Sequence, residues 1–187
     1  MVKRRTLTRE KVLVQANQLI TEHGIDHLTI RELATALDVR PQSIYNYVSS
    51  LNDLVDQVGL DFVQRLGERL LEQLVGLAGN QALMVFAREM RRTCQQQPQL
   101  AMRLLNPSEL ADLTRTHAAL VTLYRRMFAS LHLEDHGQTR LAEVTLYRSA
   151  LFGFIVQELG GFLRGTPAQL DQRFDQTMQL AIDQLPV

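Results

Sequence analysis

The sequence predicts an all-α protein, with a three-helix helix-turn-helix head followed by a five- to six-helix bundle that pairs through its last two helices. Three observations carry this. Leu, Ala, Gln, Arg and Glu, all good helix formers, dominate, and β-branched alternation is scarce. Ser, Thr, Pro and Gly fall where helices open and close. Residues 29–54, TIRELATALDVRPQSIYNYVSSLNDL, hold two short apolar-striped helices around a tight turn.

The first helix is expected from about Thr8 to His23, with Val12, Ala16, Leu19 and Ile20 inward and Gly24 as its stop. Thr29 with Glu32 fits a capping box that opens the second helix, whose apolar residues are Ile30, Leu33, Ala34 and Leu37. Asp38, Val39 and Arg40 form the turn, and Asp tolerates the left-handed backbone such a turn needs. Pro41 suits the first position of the third helix, where its missing N–H costs nothing. Ser50 and Asp53 repeat the capping box and start a long helix to about Val75, closed by Gly76 and Gly79. Further helices are expected over 80–97, 98–105, 107–131, 139–164 and 167–185. Thr166 and Pro167 supply the last start signal. The domains are read as 1–50 for the head and 51–187 for the body.

Composition limits the function classes. The chain has 187 residues, 45 % apolar content and no net formal charge, so it is not a polycation. Charge is uneven only at the start, where Lys3, Arg4, Arg5, Arg9 and Lys11 face Glu10 alone. The single cysteine, Cys94, excludes a disulfide framework. No run of about 18 apolar residues and no signal-peptide pattern occurs, so a cytoplasmic protein without a membrane partner is expected. There is no glycine-rich phosphate loop, no H-E-x-x-H, no nucleophile elbow and no paired Cys, which argues against an enzyme.

Helix-turn-helix geometry places the second of its two helices in a DNA major groove. Gln42 can pair bidentately with adenine, Ser43 can meet almost any base edge, and Arg40 can reach a guanine or a phosphate. Tyr47, Asn46 and Tyr45 are placed for backbone phosphates, although Tyr45 shares its spacing with Leu37 and Ile44 and also fits the core. Lys3, Arg4 and Arg5 can reach an adjacent minor groove. Thr29 and Pro41, at helix starts, complete the candidate DNA surface.

The first 55 or so residues resemble the DNA-binding head of the TetR (tetracycline repressor) family, on LTIRELATALDV, SIYNYV and SSLNDL. The tail, SALFGFIVQELGGF at 149–162 and DQRFDQTMQLAIDQL at 171–185, is similar to the C-terminal domain of the WHG-type subgroup. The resemblance implies a repressor that leaves DNA when a small molecule alters the angle between two heads. Departures are Asp38 where the family often has Gly, Leu51 where many members carry a phosphate-binding Lys, Val48 for Phe, and Phe152 for a histidine. The missing lysine leaves the N–H groups near Ser50 to Asp53 as the alternative phosphate contact.

One recognition helix reads few base pairs, so a homodimer on a palindromic double-stranded operator is expected, with half-sites roughly 34 Å apart. Thr145 to Phe162 is apolar on nearly every side, as expected of a helix buried by its own body and by a partner. The expected interface is Phe152, Gly153, Ile155, Val156, Leu159, Gly160, Phe174 and Met178; a central helix of a monomeric bundle is the alternative. Met84, Phe86, Met90, Cys94, Met102, Leu105, Leu123, Tyr124, Met127, Phe128 and Tyr147 form either plain core or a pocket for a small apolar or amphipathic effector. No cofactor or metal is expected. His132 and His136, in the loop HLEDHG, leave open a metal-sensing alternative, and Cys94 a redox-sensing one. A helical partner-binding or ligand-binding protein without DNA is the remaining alternative.

Overall fold

The computed structural model describes residues 7–130 and 137–185, without the side chains of residues 130 and 137–140. The basic arm at Lys3, Arg4 and Arg5 and the loop holding His132 and His136 lie outside the described residues. Among the described residues all regular structure is helical, and no helix is long and apolar enough to cross a membrane.

The head consists of α1 (Arg9–His23), α2 (Ile30–Ala36) and α3 (Pro41–Ile44), with a short 3₁₀ turn at Ile25–His27. Thr8 caps α1 by accepting from the Lys11 N–H, and Gly24, at φ 88°, ends it. Thr29 caps α2, accepting from the Glu32 N–H at 3.1 Å. The expected capping box is only half formed, because the Glu32 carboxylate turns to His23 Nδ1 at 2.9 Å. Asp38 takes the left-handed turn at φ 53°. Val12, Ala16, Ile20, Leu33, Ile44 and Val48 meet in a closed core. Each Val, Leu or Ile among them stabilises by roughly 1.5–3 kcal/mol on burial.

The body consists of α4 (Leu51–Gln73), α5 (Gly79–Gln96), α6 (Pro98–Leu105), α7 (Pro107–Leu110), α8 (Thr114–Ser130), α9 (Gly137–Leu159) and α10 (Pro167–Ile182). Ser50 caps α4, while the Asp53 carboxylate accepts from the N–H and hydroxyl of Ser49 rather than closing a box. Thr166 and Gln169 do form a full capping box at α10. The helix expected over 107–131 is split in two. Asn106 caps α7, and α8 is capped from another helix: the Asp56 carboxylate of α4 accepts from the Arg115 and Thr116 N–H groups.

α4 and α8 run side by side in the same direction. Gly59 and Gly67, eight residues apart on one face, are the points of approach. A Cβ on Gly59 would lie 2.6 Å from Thr116 Oγ1, and one on Gly67 3.6 Å from Leu123. α5 is tied to the last two helices by Arg91, whose guanidinium binds Glu158 of α9 at 2.6 Å and Asp171 of α10 at 2.8 Å. The same group lies 4.8 Å above the Phe174 ring, so the buried cation is paired and stacked.

Candidate nucleic-acid interface

The DNA-facing surface is set by the register of α3. Ile44 and Val48 are fully buried, so Pro41, Gln42, Tyr45 and Asn46 turn outward, and all four are exposed. Arg40, immediately before the helix, is exposed, and Ser43 is half-buried at its edge. Thr29 is exposed at the start of α2; its hydroxyl oxygen accepts from Glu32, which leaves its O–H free to donate. These residues form the outer face of a head whose inner face is apolar, and the arrangement offers both bidentate and single hydrogen-bonding groups to a groove.

Two expectations are corrected here. Regular α-helical bonding ends at Ile44, so Tyr45 caps the helix and is 48 % exposed rather than part of the core. Tyr47 is not free for a phosphate. Its hydroxyl donates to the Leu7 carbonyl at 2.7 Å and pins the chain entering α1 to the end of the recognition segment. A phenol has one donor, and this one is spent. Arg31, not singled out from the sequence, is an exposed cation on α2, the first helix of the motif.

Behind α3 a chain of polar contacts runs into the body. The Gln57 amide donates to the Tyr47 carbonyl at 3.2 Å and to Asp53 at 3.2 Å, and accepts from Arg9 at 2.7 Å. Asp53 is ion-paired with Arg115, which also holds Asp56 at 2.9 Å. Asp56, almost fully buried, accepts from the Thr116 N–H at 2.9 Å and hydroxyl at 2.8 Å. Burial alone would raise the pKa of both carboxylates. Donation from the Ser49 N–H, Arg115 and Gln57 outweighs it at Asp53 and holds that group well below the usual range. The Thr116 N–H, Arg115 and the Thr116 hydroxyl do the same at Asp56. An ionised Asp53 beside the first turn of α4 also competes with any phosphate sought by the N–H groups near Ser50.

The expected pocket residues converge, but as packed core. Phe86, Met90, Cys94, Tyr124, Met127, Phe128 and Tyr147 are buried, with ring centroids 5.2 Å apart for Phe86–Tyr124 and 6.0 Å for Phe128–Tyr147. Met84, Leu105 and Leu123 are half-buried at its margin. Met102 is corrected: α6 buries Leu100, Ala101 and Leu104, which leaves Met102 on the solvent side. A shallow groove of about 360 Å³ lies between α1 and α4, where Leu13, Val14 and Leu60 are flanked by polar and charged side chains including Arg9, Glu10, Asp61 and Arg65. Burial pushes the Cys94 thiol up to about 12, so it stays protonated and unreactive near neutral pH. Among the described residues no three His, Cys, Asp or Glu side chains gather as a metal site.

The expected dimer residues divide by burial. Ile155, Phe174 and Met178 are fully buried within the single chain and have no surface for a partner, because α9 and α10 use them against their own body. Phe152, Gly153, Val156 and Leu159 are half-buried and Gly160 is exposed. Leu146 and Leu180, exposed on α9 and α10 at 48 % and 71 %, were not among the expected contacts.

Residues 12–58 match the model of bacterial regulatory proteins of the tetR family, and residues 83–181 match the tetracyclin repressor-like C-terminal domain. These matches carry the family and not the subgroup expected from the tail. A curated HTH-type transcriptional regulator of Saccharopolyspora erythraea is 31 % identical over 119 residues, 61 % of this chain and 49 % of that protein. The chain spans half or less of the length of the curated relatives it matches. Among solved structures, a TetR transcriptional regulator from Rhodococcus sp. RHA1 aligns with a TM-score of 0.65 at 19 % identity, over 96 % of this chain and all of the other. A protein of Saccharomonospora viridis solved in complex with choline aligns with a TM-score of 0.68 at 18 % identity, over 91 % and 95 %. At these identities the structural likeness concerns the fold.

Proposed function

The chain belongs to the TetR family of bacterial regulatory proteins, and on that footing we propose that it is a cytoplasmic, dimeric, sequence-specific DNA-binding regulator that represses transcription until a small molecule releases it. The family is one of regulators rather than enzymes. The observation that carries the reading is the outward face of α3, where Arg40, Gln42, Tyr45 and Asn46 stand together above a sealed core. In this reading residues 1–50 are the DNA-binding head. Gln42 and Ser43 read base edges, Arg40 a guanine or a phosphate, and Thr29 and Arg31 the backbone. The arm at Lys3, Arg4 and Arg5 adds a salt-sensitive contact along the duplex.

The body, residues 51–187, pairs two chains across the outer stripe of α9 and α10, with Leu146, Gly153, Val156 and Leu180 toward the partner. Among the described residues the nearest atom to a Cβ at Gly153, outside the helix backbone, is the end of the Gln157 side chain at 4.0 Å. Two heads then address two half-sites of a palindrome. A small molecule bound among the aromatic residues of α5, α8 and α9 shifts α8. The start of α8 is held by Asp56 of α4, so α4 moves with it, and the Gln57–Tyr47 contact passes the shift to α3. That a relative of this fold was solved with choline supports a small-molecule site, without naming the ligand here.

Selection of bound duplexes from a random pool tests this. The expected product is a two-fold symmetric consensus for the native protein, and a consensus altered at symmetric positions for Gln42→Ala. An asymmetric or absent consensus contradicts it.

A further inference from the structure

Tyr124 on α8 carries a buried hydroxyl that the core leaves unpaired. Its side chain is 5 % exposed, yet its hydroxyl has no hydrogen-bond partner among the described residues. A buried hydroxyl left unpaired costs stability. The same core satisfies its other buried phenol, since Tyr147 donates to the Leu83 carbonyl at 2.8 Å. Tyr124 is therefore an exception to a rule that its neighbours obey.

Its surroundings say what could pair with it. The rings of Phe86, Phe152 and Phe128 lie 5.2, 5.5 and 6.2 Å from its own. The nearby Cys94 is held as a neutral thiol. Interior carboxylates are engaged elsewhere, Glu89 with Arg69 at 2.7 Å and Glu158 with Arg91. The exposed Arg148 holds its guanidinium 5.3 Å above the Tyr124 ring. The ring face is thus already served by a cation, and what is missing is a hydrogen-bond acceptor for the hydroxyl.

We propose that Tyr124 is the polar anchor of the effector site, and that the ligand is a neutral, flat, largely apolar molecule presenting one hydrogen-bond acceptor to the Tyr124 hydroxyl. This rests on the effector reading given above. Phe152, half-buried at the edge of the ring cluster, gives way to admit it. A carboxylate would lose its hydration among rings for a single hydrogen bond. A cation would meet the Arg148 charge at the same face. One neutral acceptor costs least to bury and leaves no buried polar group unpaired.

The test compares the native protein with Tyr124→Phe by thermal unfolding, alone and with four probes: acetophenone, α-methylstyrene (the same shape without the acceptor), benzoate and choline. Without ligand, Tyr124→Phe is expected to melt at the native temperature or up to about 4 °C higher, because the orphaned hydroxyl is gone. Acetophenone is expected to raise the native Tm more than α-methylstyrene does, with that difference lost in Tyr124→Phe and no rise from benzoate or choline. A lower melting temperature for ligand-free Tyr124→Phe overturns the proposal, since the hydroxyl would then be partnered. Equal effects of acetophenone and α-methylstyrene, a larger effect of either charged probe, or no effect of any probe also overturns it. Parallel titration of DNA-bound protein separates this site from the regulatory reading. Acetophenone that binds through Tyr124 but leaves DNA affinity unchanged keeps the site and removes the effector role. Release of DNA that is equal in Tyr124→Phe does the reverse.

Discussion

Asp56 shows how one side chain can define an element boundary. It caps the start of α8 from outside, by accepting from the Thr116 N–H and hydroxyl and the Arg115 N–H. Asp56→Ala strands those buried donors and is expected to lower stability by about 1–3 kcal/mol in urea unfolding, whereas a neutral result would mean that water replaces the carboxylate. The folded pKa values of Asp53 and Asp56 are depressed, so their contribution is present above the unfolded carboxylate value of roughly 3.9 and is lost as pH falls below it toward the folded values. Stability should therefore drop below about pH 4 less steeply in Asp56→Asn than in the native protein. Cys94, held as a thiol, should resist iodoacetamide at pH 8 until the protein is unfolded; rapid labelling of folded protein would restore the redox alternative. Gln42 and Asn46, expected to face outward, are exposed. The Tyr47 contact was not legible, because its partner, the Leu7 carbonyl, lies 40 residues away in the chain.

At the scale of elements, starts and stops were legible wherever the cap is local. Thr8, Thr29, Ser50 and Thr166 all accept from the first turn of the helix they open. The break between α7 and α8 was not legible, since its cap is Asp56, 60 residues from Thr116. The carboxylate halves of the two expected boxes also failed, because Glu32 and Asp53 found His23 and Ser49 instead. Gly59 has a role that a sequence alone cannot assign: α8 crosses where a Cβ would stand. Gly59→Ala should separate α4 from α8 and cost about 1–3 kcal/mol by overpacking, despite the better helix propensity of Ala. A gain in Tm for that variant would show that Thr116 can move aside, and would weaken the idea that α8 grips α4 rigidly.

For the whole molecule, the apolar girdle of α9 resolves into two faces. Tyr147, Leu151, Phe154 and Ile155 are buried against the body, while Gly153 and Val156 are half-buried, and Leu146 of α9 and Leu180 of α10 are exposed. Apolarity on every side was visible in the sequence; which residue belonged to which face required the packing of α10 and the Arg91 clamp. Replacing Val156 and Leu180 together by Glu should give a folded monomer in light scattering where the native protein is a dimer. A native monomer, or a dimer unaffected by both charges, would remove α9 and α10 as the interface. Whether the head reads DNA through α3 is decided by fluorescence-anisotropy titration against the duplex upstream of the protein's own coding region. An unrelated duplex serves as control, at two salt concentrations. Tight, salt-sensitive binding to the upstream duplex alone is expected, lost in the Gln42→Ala, Ser43→Ala double variant with its fold intact. Absence of binding to either duplex at low salt, or identical binding by the native protein and the double variant, would contradict it.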